Sequence, residues 1–224
     1  MKYPNFICIG LQKCGTTSLY HYLNDHPQVI PNNYKKEVKF WNYVYHKGIE
    51  WYKSCFPNKD GKITGDITSN YFWYVDPKIM YKDLPKTTKL ITIFRNPIDR
   101  MYSFYWWLKR YPCEKHPITD NFWKSHKVFL DESDYKKYLE KWVNIFGWER
   151  IHVIILEELI KYPQKVWNEL CNYLEIKETL HPYLKQKYLP MNDIEKITLN
   201  YYFFNKNVEF FKYIKKENLW IKNM

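Results

Sequence analysis

Residues 6–23 read FICIGLQKCGTTSLYHYL, which is an apolar run, a short loop between two glycines and a helical pattern in succession. Gly10 and Gly15 bound the loop in a chain that has only 6 glycines. A loop that leads from a buried strand into a helix turns backbone N–H groups and the helix N-terminus toward one point, where a phosphate dianion binds. The segment therefore predicts a phosphate loop at residues 10–18, and three hydroxyl side chains add donors to it: Thr16, Thr17 and Ser18.

Three further apolar runs, at 63–67, 89–94 and 152–156, resemble the run at 6–10. They are nearly continuously apolar rather than alternating, as parallel strands covered on both faces are. Helical patterns separate and follow them, at 17–25, 49–56, 77–84, 97–109, 135–146, 163–174, 193–204 and 205–214. This alternation predicts an α/β fold, a three-layer, P-loop-like arrangement with a central parallel sheet flanked by helices. Since no repeat or linker-like stretch interrupts the pattern, we expect a single domain over residues 1–224.

The composition favours an anionic partner, because 35 basic and 24 acidic residues give a formal net charge of +11. Nucleic acid is not expected, since no recognition motif accompanies this charge. The 5 cysteines show no CxxC pair or metal-ligand spacing, so we expect reduced thiols and no metal site. Neither a signal peptide nor a run of about 18 apolar residues is visible, which predicts a soluble, cytoplasmic protein without a membrane anchor. The Golgi lumen is the alternative if an anchor precedes the sequence in a longer chain.

The lysine of the phosphate loop lies in an unusual place. ATPases have it directly after the second glycine, where this chain has Thr16, whereas Lys13 lies inside the loop between Gln12 and Cys14. A lysine there suits a donor with a single 5′-phosphate, where charge develops on the bridging oxygen of the breaking bond. A kinase that uses ATP and Mg²⁺ stays open as the alternative.

Arg95 and Ser103 form a predicted second anchor in LITIFRNPIDRMYSFY at 90–105. Arg95 follows the carboxyl end of a predicted parallel strand, the end at which ligands bind in open α/β sheets. An arginine fork with a nearby hydroxyl suits a ribose 3′-phosphate, which ATP lacks. The alternative role of Arg95 is a salt bridge to Asp99 or Asp66.

The phosphate loop followed by R-x-P-x-x-R-x-x-S resembles the 5′-phosphosulfate and 3′-phosphate motifs of the sulfotransferase superfamily. KEVKFWNYVYHKGIEWYKSCFP at 36–57 looks like the heparan sulfate sulfotransferases, above all the sulfotransferase domain of N-deacetylase/N-sulfotransferases, and DITSNYF at 66–72 is similar to a family segment beside the substrate. The resemblance implies an enzyme that moves a sulfuryl group from 3′-phosphoadenosine-5′-phosphosulfate (PAPS) to a hydroxyl or amine of a carbohydrate, such as a heparan-like glycan, without a metal.

The same resemblance implies roles for single residues. Glu37 matches the general base, which needs a raised pKa or a close acceptor contact to work near neutrality, and His46 is its rival. Lys13 is implied to stabilise the leaving group. The implied cofactor-binding residues are Gln12, Lys13, Cys14, Gly15, Thr16, Thr17, Ser18, Arg95, Ser103 and, from the basic stretch KQKYLP at 185–190, Lys185 and Lys187. The implied substrate-binding residues are Lys36, Lys39, Asp66 and Tyr71.

Three features depart from the family pattern and bear on the acceptor. Ile67 stands where the family has a lysine, residues 179–183 are all that remains of a disulfide-closed hairpin, and no secretory anchor is visible. The donor motifs are intact, so a protein tyrosine or a small alcohol stays open as the acceptor. A further alternative is a non-catalytic anion- or glycan-binding module that kept the fold.

Overall fold

The computed structural model describes residues 2–108, 127–180 and 193–220. The chain divides into two compact units, Met1–Phe94 with Lys141–Lys185 and Arg95–Glu140 with Gln186–Met224. The single domain stays a prediction. Among the described residues, no helix combines the length and the apolar character needed to cross a bilayer.

The first unit contains a parallel four-stranded sheet in the order β2-β1-β3-β4. Its strands are β1 (Phe6–Gly10), β2 (Gly65–Ile67), β3 (Lys89–Phe94) and β4 (Ile151–Ile155). All of β1 and all of β3 except Lys89 are buried, because parallel strands are covered on both faces. β1 pairs with β2 on one side and with β3 on the other, and ligands bind beyond the carboxyl ends of strands where the strand order reverses in this way.

Helices flank this sheet and confirm the predicted α/β fold. The helices of the described chain are α1 (Thr16–Asn24), α2 (Ile49–Ser54), α3 (Tyr71–Tyr74), α4 (Pro77–Asp83), α5 (Pro97–Leu108), α6 (Lys127–Glu132), α7 (Tyr135–Phe146), α8 (Leu156–Lys161), α9 (Pro163–Leu174) and α10 (Asp193–Ile214). Shorter helical turns lie at Phe40–Val44, Tyr45–Lys47 and Trp148–Arg150. Three helices begin at a proline, where the missing N–H removes no helical hydrogen bond: Pro77, Pro97 and Pro163.

The prediction of two helices at 193–204 and 205–214 was wrong, because α10 is continuous from Asp193 to Ile214. Asn205, at the predicted boundary, does not end the helix, because an exposed asparagine lowers helix stability by only about 0.7 kcal/mol relative to alanine. Neither proline nor glycine is present at the junction, so the backbone hydrogen bonds continue through it.

Aromatic rings account for much of the core of the first unit between α2 and α3. Tyr52 lies 4.7 Å from both Phe40 and Trp41 and 4.9 Å from Phe56, measured between ring centroids. Trp41 packs edge-on against Tyr71 at 5.4 Å. These contacts fix the segment that follows Glu37 against two helices.

The second unit has a core of its own, in which α5 contacts α10. Ile98, Met101 and Tyr105 of α5 cluster with Phe203. Arg100 lies among them at 1% exposure, which a guanidinium tolerates only with polar partners. Its partners include the Glu132 carboxylate at 3.6 Å and the Ser133 hydroxyl at 2.8 Å.

Candidate active site

The phosphate loop leaves β1 at its carboxyl end and is held by backbone hydrogen bonds. The Leu11 N–H donates to the Ile93 carbonyl of β3 at 3.0 Å, and the Cys14 N–H donates to the Leu11 carbonyl at 3.2 Å. Lys13 has a φ of 67°, in the left-handed region that non-glycine residues seldom adopt. The loop is therefore a tight turn whose shape is set by its contacts with the sheet.

Both glycines of the loop are required by close packing. Gly10 has a φ of 145°, and a Cβ there would lie 2.9 Å from the Ser69 carbonyl oxygen and 3.3 Å from the Phe72 Cβ. Gly15 has a φ of 100°, and its Cβ would lie 3.1 Å from Leu156. The absence of side chains at these two positions keeps the loop backbone in contact with its neighbours, as a backbone cradle for phosphate needs.

The N-terminus of α1 suits an anion electrostatically. Gly15 is the N-cap residue, and the first turn carries no acidic side chain. The positive end of the helix dipole and the first-turn N–H groups therefore favour negative charge at this point. Of the predicted hydroxyl donors, Thr17 is exposed, Ser18 is half-buried and Thr16 is buried. The loop thus fits a phosphate group on this structure's own geometry.

Ser69 lies between Glu37 and the phosphate loop and contacts both. The Ser69 hydroxyl donates to Glu37 Oε1 at 2.6 Å, while the Ser69 carbonyl is the atom that excludes a side chain at Gly10. Lys36 and Lys39 place their Nζ atoms 3.2 and 3.3 Å from the two Glu37 carboxylate oxygens. The structure therefore brings the predicted base and two predicted substrate-binding lysines together.

The pKa of Glu37 is not raised, although a raised pKa was one of the two conditions under which Glu37 could act as a base near neutrality. Burial acts to raise its pKa, but the Ser69 hydroxyl, Lys36 and Lys39 outweigh burial and lower the pKa below the usual value. The carboxylate is therefore ionised at neutral pH. The raised pKa expected as one option is not found, and the remaining option for a base is a close contact with the acceptor.

Asp66 and Tyr71 were expected to bind substrate, yet both are fully buried. The Tyr71 hydroxyl donates to Asp66 Oδ2 at 3.0 Å, and the same oxygen accepts from the Tyr52 hydroxyl at 3.2 Å. Burial outweighs these hydrogen bonds and raises the pKa of Asp66 to about 6. This geometry favours a supporting role inside the unit over direct contact with a substrate.

The predicted second anchor belongs to the second unit. Arg95 follows β3 directly and is half-buried, and the Tyr135 hydroxyl donates to its carbonyl at 3.0 Å. Ser103 lies on α5 and is 4% exposed. Lys185 and Lys187 lie outside the described residues, and their predicted role stays a prediction. His46, the rival base, is exposed in the turn Tyr45–Lys47.

Sequence reasoning missed Thr68 and Ser69, which follow β2 directly. Parallel strands place their carboxyl ends at one edge of a sheet, so hydroxyl residues that follow β2 lie at the same edge as the loop that leaves β1. The position of these two residues after a buried strand was therefore the signal that could have identified them.

A family model of the sulfotransferase domain matches residues 3–217 of the chain. The chain belongs to the sulfotransferase domain family. Bifunctional heparan sulfate N-deacetylase/N-sulfotransferase 4 of Mus musculus is 33% identical over 199 residues, which are 77% of this chain and 22% of that protein. Membrane-associated sulfotransferase kil1 of Dictyostelium discoideum is 25% identical over 97% of this chain and 66% of its own length. This sulfotransferase domain thus spans about a fifth of the mouse relative.

A solved structure supports the fold of this sulfotransferase domain. The sulfotransferase of Alicyclobacillus acidocaldarius superposes with a TM-score of 0.80 over 97% of this chain and 98% of its own, at 22% identity. Because the identity is low, the likeness extends to the arrangement of the sheet and helices and not to the chemistry of single residues.

Proposed function

We propose that this chain transfers a sulfuryl group from PAPS to a hydroxyl or amine of a carbohydrate, with a heparan-like glycan as the acceptor class. The observation that carries the proposal is the contact path from Gly10 through Ser69 to Glu37, which sets a carboxylate beside a phosphate loop. A general base and a donor phosphate must lie that close for the acceptor to attack in line. Family membership supports the reaction class.

Each proposed role follows from the chemistry of the side chain. The backbone of the phosphate loop and the N-terminus of α1 hold the 5′-phosphate, and Arg95 with Ser103 holds the 3′-phosphate. When bound, PAPS supplies the sulfuryl group. The Glu37 carboxylate takes the proton of the acceptor O–H or N–H, and the Lys13 ammonium stabilises the negative charge that develops at the leaving oxygen. Lys185 and Lys187 are proposed to cover the nucleotide.

Aromatic and lysine side chains in the segment that includes Glu37, residues 34–51, support a carbohydrate acceptor. Lysine ammonium groups lie over exposed or half-buried rings, Lys35 over Tyr34 at 4.9 Å and Lys47 over Trp51 at 4.4 Å. Ring faces pack against sugars, while ammonium groups pair with acidic substituents. Two relatives act on heparan sulfate by name, the mouse N-sulfotransferase above and heparan sulfate glucosamine 3-O-sulfotransferase 3A1 of Mus musculus, 28% identical over 82% of this chain.

Calorimetry with 3′-phosphoadenosine-5′-phosphate (PAP), 5′-AMP and ATP tests the donor. We expect PAP to bind more tightly than 5′-AMP or ATP, and Arg95→Ala to reduce the preference of PAP over 5′-AMP about tenfold or more, since a charge-assisted hydrogen bond contributes about 1.5–3 kcal/mol. Glu37→Gln should keep PAP affinity and lose turnover of PAPS on a desulfated glycan. Glu50→Gln is the matched control, because Glu50 is an exposed glutamate that pairs with Lys53 at 2.7 Å.

Tighter binding of ATP, or an unchanged 3′-phosphate preference in Arg95→Ala, would favour the kinase alternative. Retained turnover in Glu37→Gln would remove Glu37 as the base. Turnover on tyrosine peptides or small alcohols but not on glycans would support sulfuryl transfer from PAPS and contradict a carbohydrate acceptor.

A further inference from the structure

The segment that carries Glu37 has a strained backbone. In the Glu37 loop (residues 37–40), Glu37 has a φ of 63° and Lys39 a φ of 57°, and neither is glycine. Left-handed conformations cost about 1–2 kcal/mol for each such residue and persist only where the surroundings enforce them. Contacts with residues outside the loop must therefore maintain this conformation.

That restraint comes from β2 and from the segment that follows it. Each backbone N–H of the Glu37 loop donates a hydrogen bond to this part of the chain. Two of them reach β2, from Glu37 to the Ile67 carbonyl at 3.2 Å and from Val38 to Asp66 Oδ1 at 3.4 Å. The other two reach the residues after β2, from Lys39 to Thr68 Oγ1 at 3.2 Å and from Phe40 to the Tyr71 hydroxyl at 2.7 Å. Three of the four acceptors are side-chain oxygens, so the conformation of the loop depends on the identity of these residues and not only on backbone pairing.

Asp66 determines how the two hydroxyl acceptors are oriented. Thr68 donates to Asp66 Oδ1 at 2.8 Å, and Tyr71 donates to Asp66 Oδ2 at 3.0 Å. An ionised carboxylate only accepts hydrogen bonds, so both hydroxyls must direct their hydrogens at it. Their lone pairs are then left for the N–H groups of Lys39 and Phe40.

We propose that Asp66 is a positioning residue, which through Thr68 and Tyr71 holds the Glu37 loop in the conformation that sets the Glu37 carboxylate beside the phosphate loop. The inference rests on the proposed function, because it assigns a purpose to the placement of Glu37. It also replaces the expectation that Asp66 and Tyr71 contact the acceptor, since the side chains of Asp66, Thr68 and Tyr71 are all fully buried.

Two pairs of matched variants separate this role from general packing. Thr68→Val removes the hydroxyl that joins Asp66 to Lys39, whereas Thr64→Val makes the same change at a buried threonine whose hydroxyl has no hydrogen-bond partner among the described residues. Tyr71→Phe removes the acceptor of the Phe40 N–H, whereas Tyr52→Phe removes only a second donor to the same Asp66 oxygen.

Hydrogen–deuterium exchange reads the loop without any turnover. We expect Thr68→Val and Tyr71→Phe to speed exchange of the amides of residues 37–40 about tenfold or more, because a lost hydrogen bond opens the loop locally. Exchange in β1 should not change, and Thr64→Val should match the unmodified protein. Tyr52→Phe should have a smaller effect than Tyr71→Phe.

Turnover is the second measurement. Thr68→Val and Tyr71→Phe should lower kcat about tenfold or more while PAP affinity stays within about twofold, as expected when only the placement of a catalytic group is disturbed. Thr68→Ser keeps the hydroxyl and should restore kcat.

The two measurements separate the inference from the proposed function. Unchanged exchange of residues 37–40 in Thr68→Val and Tyr71→Phe overturns the inference, whether or not the protein transfers sulfuryl groups. Faster exchange with unchanged kcat also overturns it, because the placement of Glu37 would then not matter. If the variants show faster loop exchange but the unmodified protein does not turn over PAPS, the proposed function fails and the inference about the loop conformation does not. If Thr68→Val does not fold, Tyr71→Phe, which keeps the ring, decides the inference.

Discussion

Gly10 is the residue at which the phosphate loop meets the segment that positions Glu37. A methyl group at this position would lie 2.9 Å from a backbone oxygen, which cannot move as the tip of a side chain can, and the φ of 145° disfavours any L-residue. We expect Gly10→Ala to lower the free energy of unfolding by more than about 2 kcal/mol, because overpacking adds to backbone strain, and to weaken PAP binding. Urea unfolding and calorimetry measure the two effects.

Gly61→Ala is the control for this substitution. Gly61 also has a positive φ, of 69°, but a Cβ there meets nothing within 4 Å. In Gly61→Ala the free energy of unfolding should therefore fall only by the cost of backbone strain, about 1 kcal/mol, and PAP should bind as it does to the unmodified protein. Equal losses of stability in the two variants would mean that the contact with Ser69 does not constrain the phosphate loop.

At the scale of elements, α5 and α6 are joined by a buried ion pair. Arg100 and Glu132 are 1% and 5% exposed, with 3.6 Å between the guanidinium nitrogen and the carboxylate oxygen. Glu132→Gln would remove the carboxylate charge that pairs with a buried guanidinium, so we expect a loss of about 3 kcal/mol in the free energy of unfolding. Glu209→Gln breaks the exposed pair with Lys136 in the same unit and should change stability little. Comparable losses in the two variants would show that burial does not strengthen the Arg100 pair.

Elements with a strong local signal could be predicted from the sequence. β1, β3, α7 and α9 have the predicted bounds, because buried apolar runs and helical periodicity are properties of neighbouring residues. The glycine-bounded loop between β1 and α1 could be located for the same reason, since both glycines lie within one short segment. The turns at Phe40–Val44 and Tyr45–Lys47 were missed because they have no such periodicity.

The support of Glu37 could not be predicted, because it depends on contacts between distant residues. Val38 and Asp66 are separated by 28 positions, and Glu37 and Ser69 by 32. Hydrogen bonds between a backbone N–H and a distant side chain leave no pattern in either segment. The lowered pKa of Glu37 has the same origin, because Ser69 contributes to it from across the sheet edge.

At the scale of the whole molecule, the buried Asp66 makes the stability of the chain depend on pH. Burial raises the pKa of Asp66 to about 6, above the ordinary 3.8 that applies to the unfolded chain. Between these values the folded protein binds the proton and the unfolded chain does not, so this group favours folding at low pH, and its contribution is lost as pH rises through about 6. Groups that face Asp66 stay neutral in this range, because burial raises the pKa of Cys8 to about 12, that of Cys55 to about 11 and those of Tyr52 and Tyr71 well above the usual value.

Asp66→Asn removes this titration and therefore isolates it. We expect the stability of the unmodified protein relative to Asp66→Asn to fall by about 2 kcal/mol between about pH 4.5 and pH 7.5, because one unit of pKa shift corresponds to about 1.4 kcal/mol. Urea unfolding at several pH values measures the difference, in which groups common to both proteins cancel. Glu175→Gln provides a control of opposite sign, since the Lys89 hydrogen bond lowers the pKa of Glu175 and the stability it adds is lost as pH falls. A flat difference for Asp66→Asn would mean that water or a rearranged loop stabilises the carboxylate, and the orientation of Thr68 and Tyr71 by an ionised Asp66 would then need another cause.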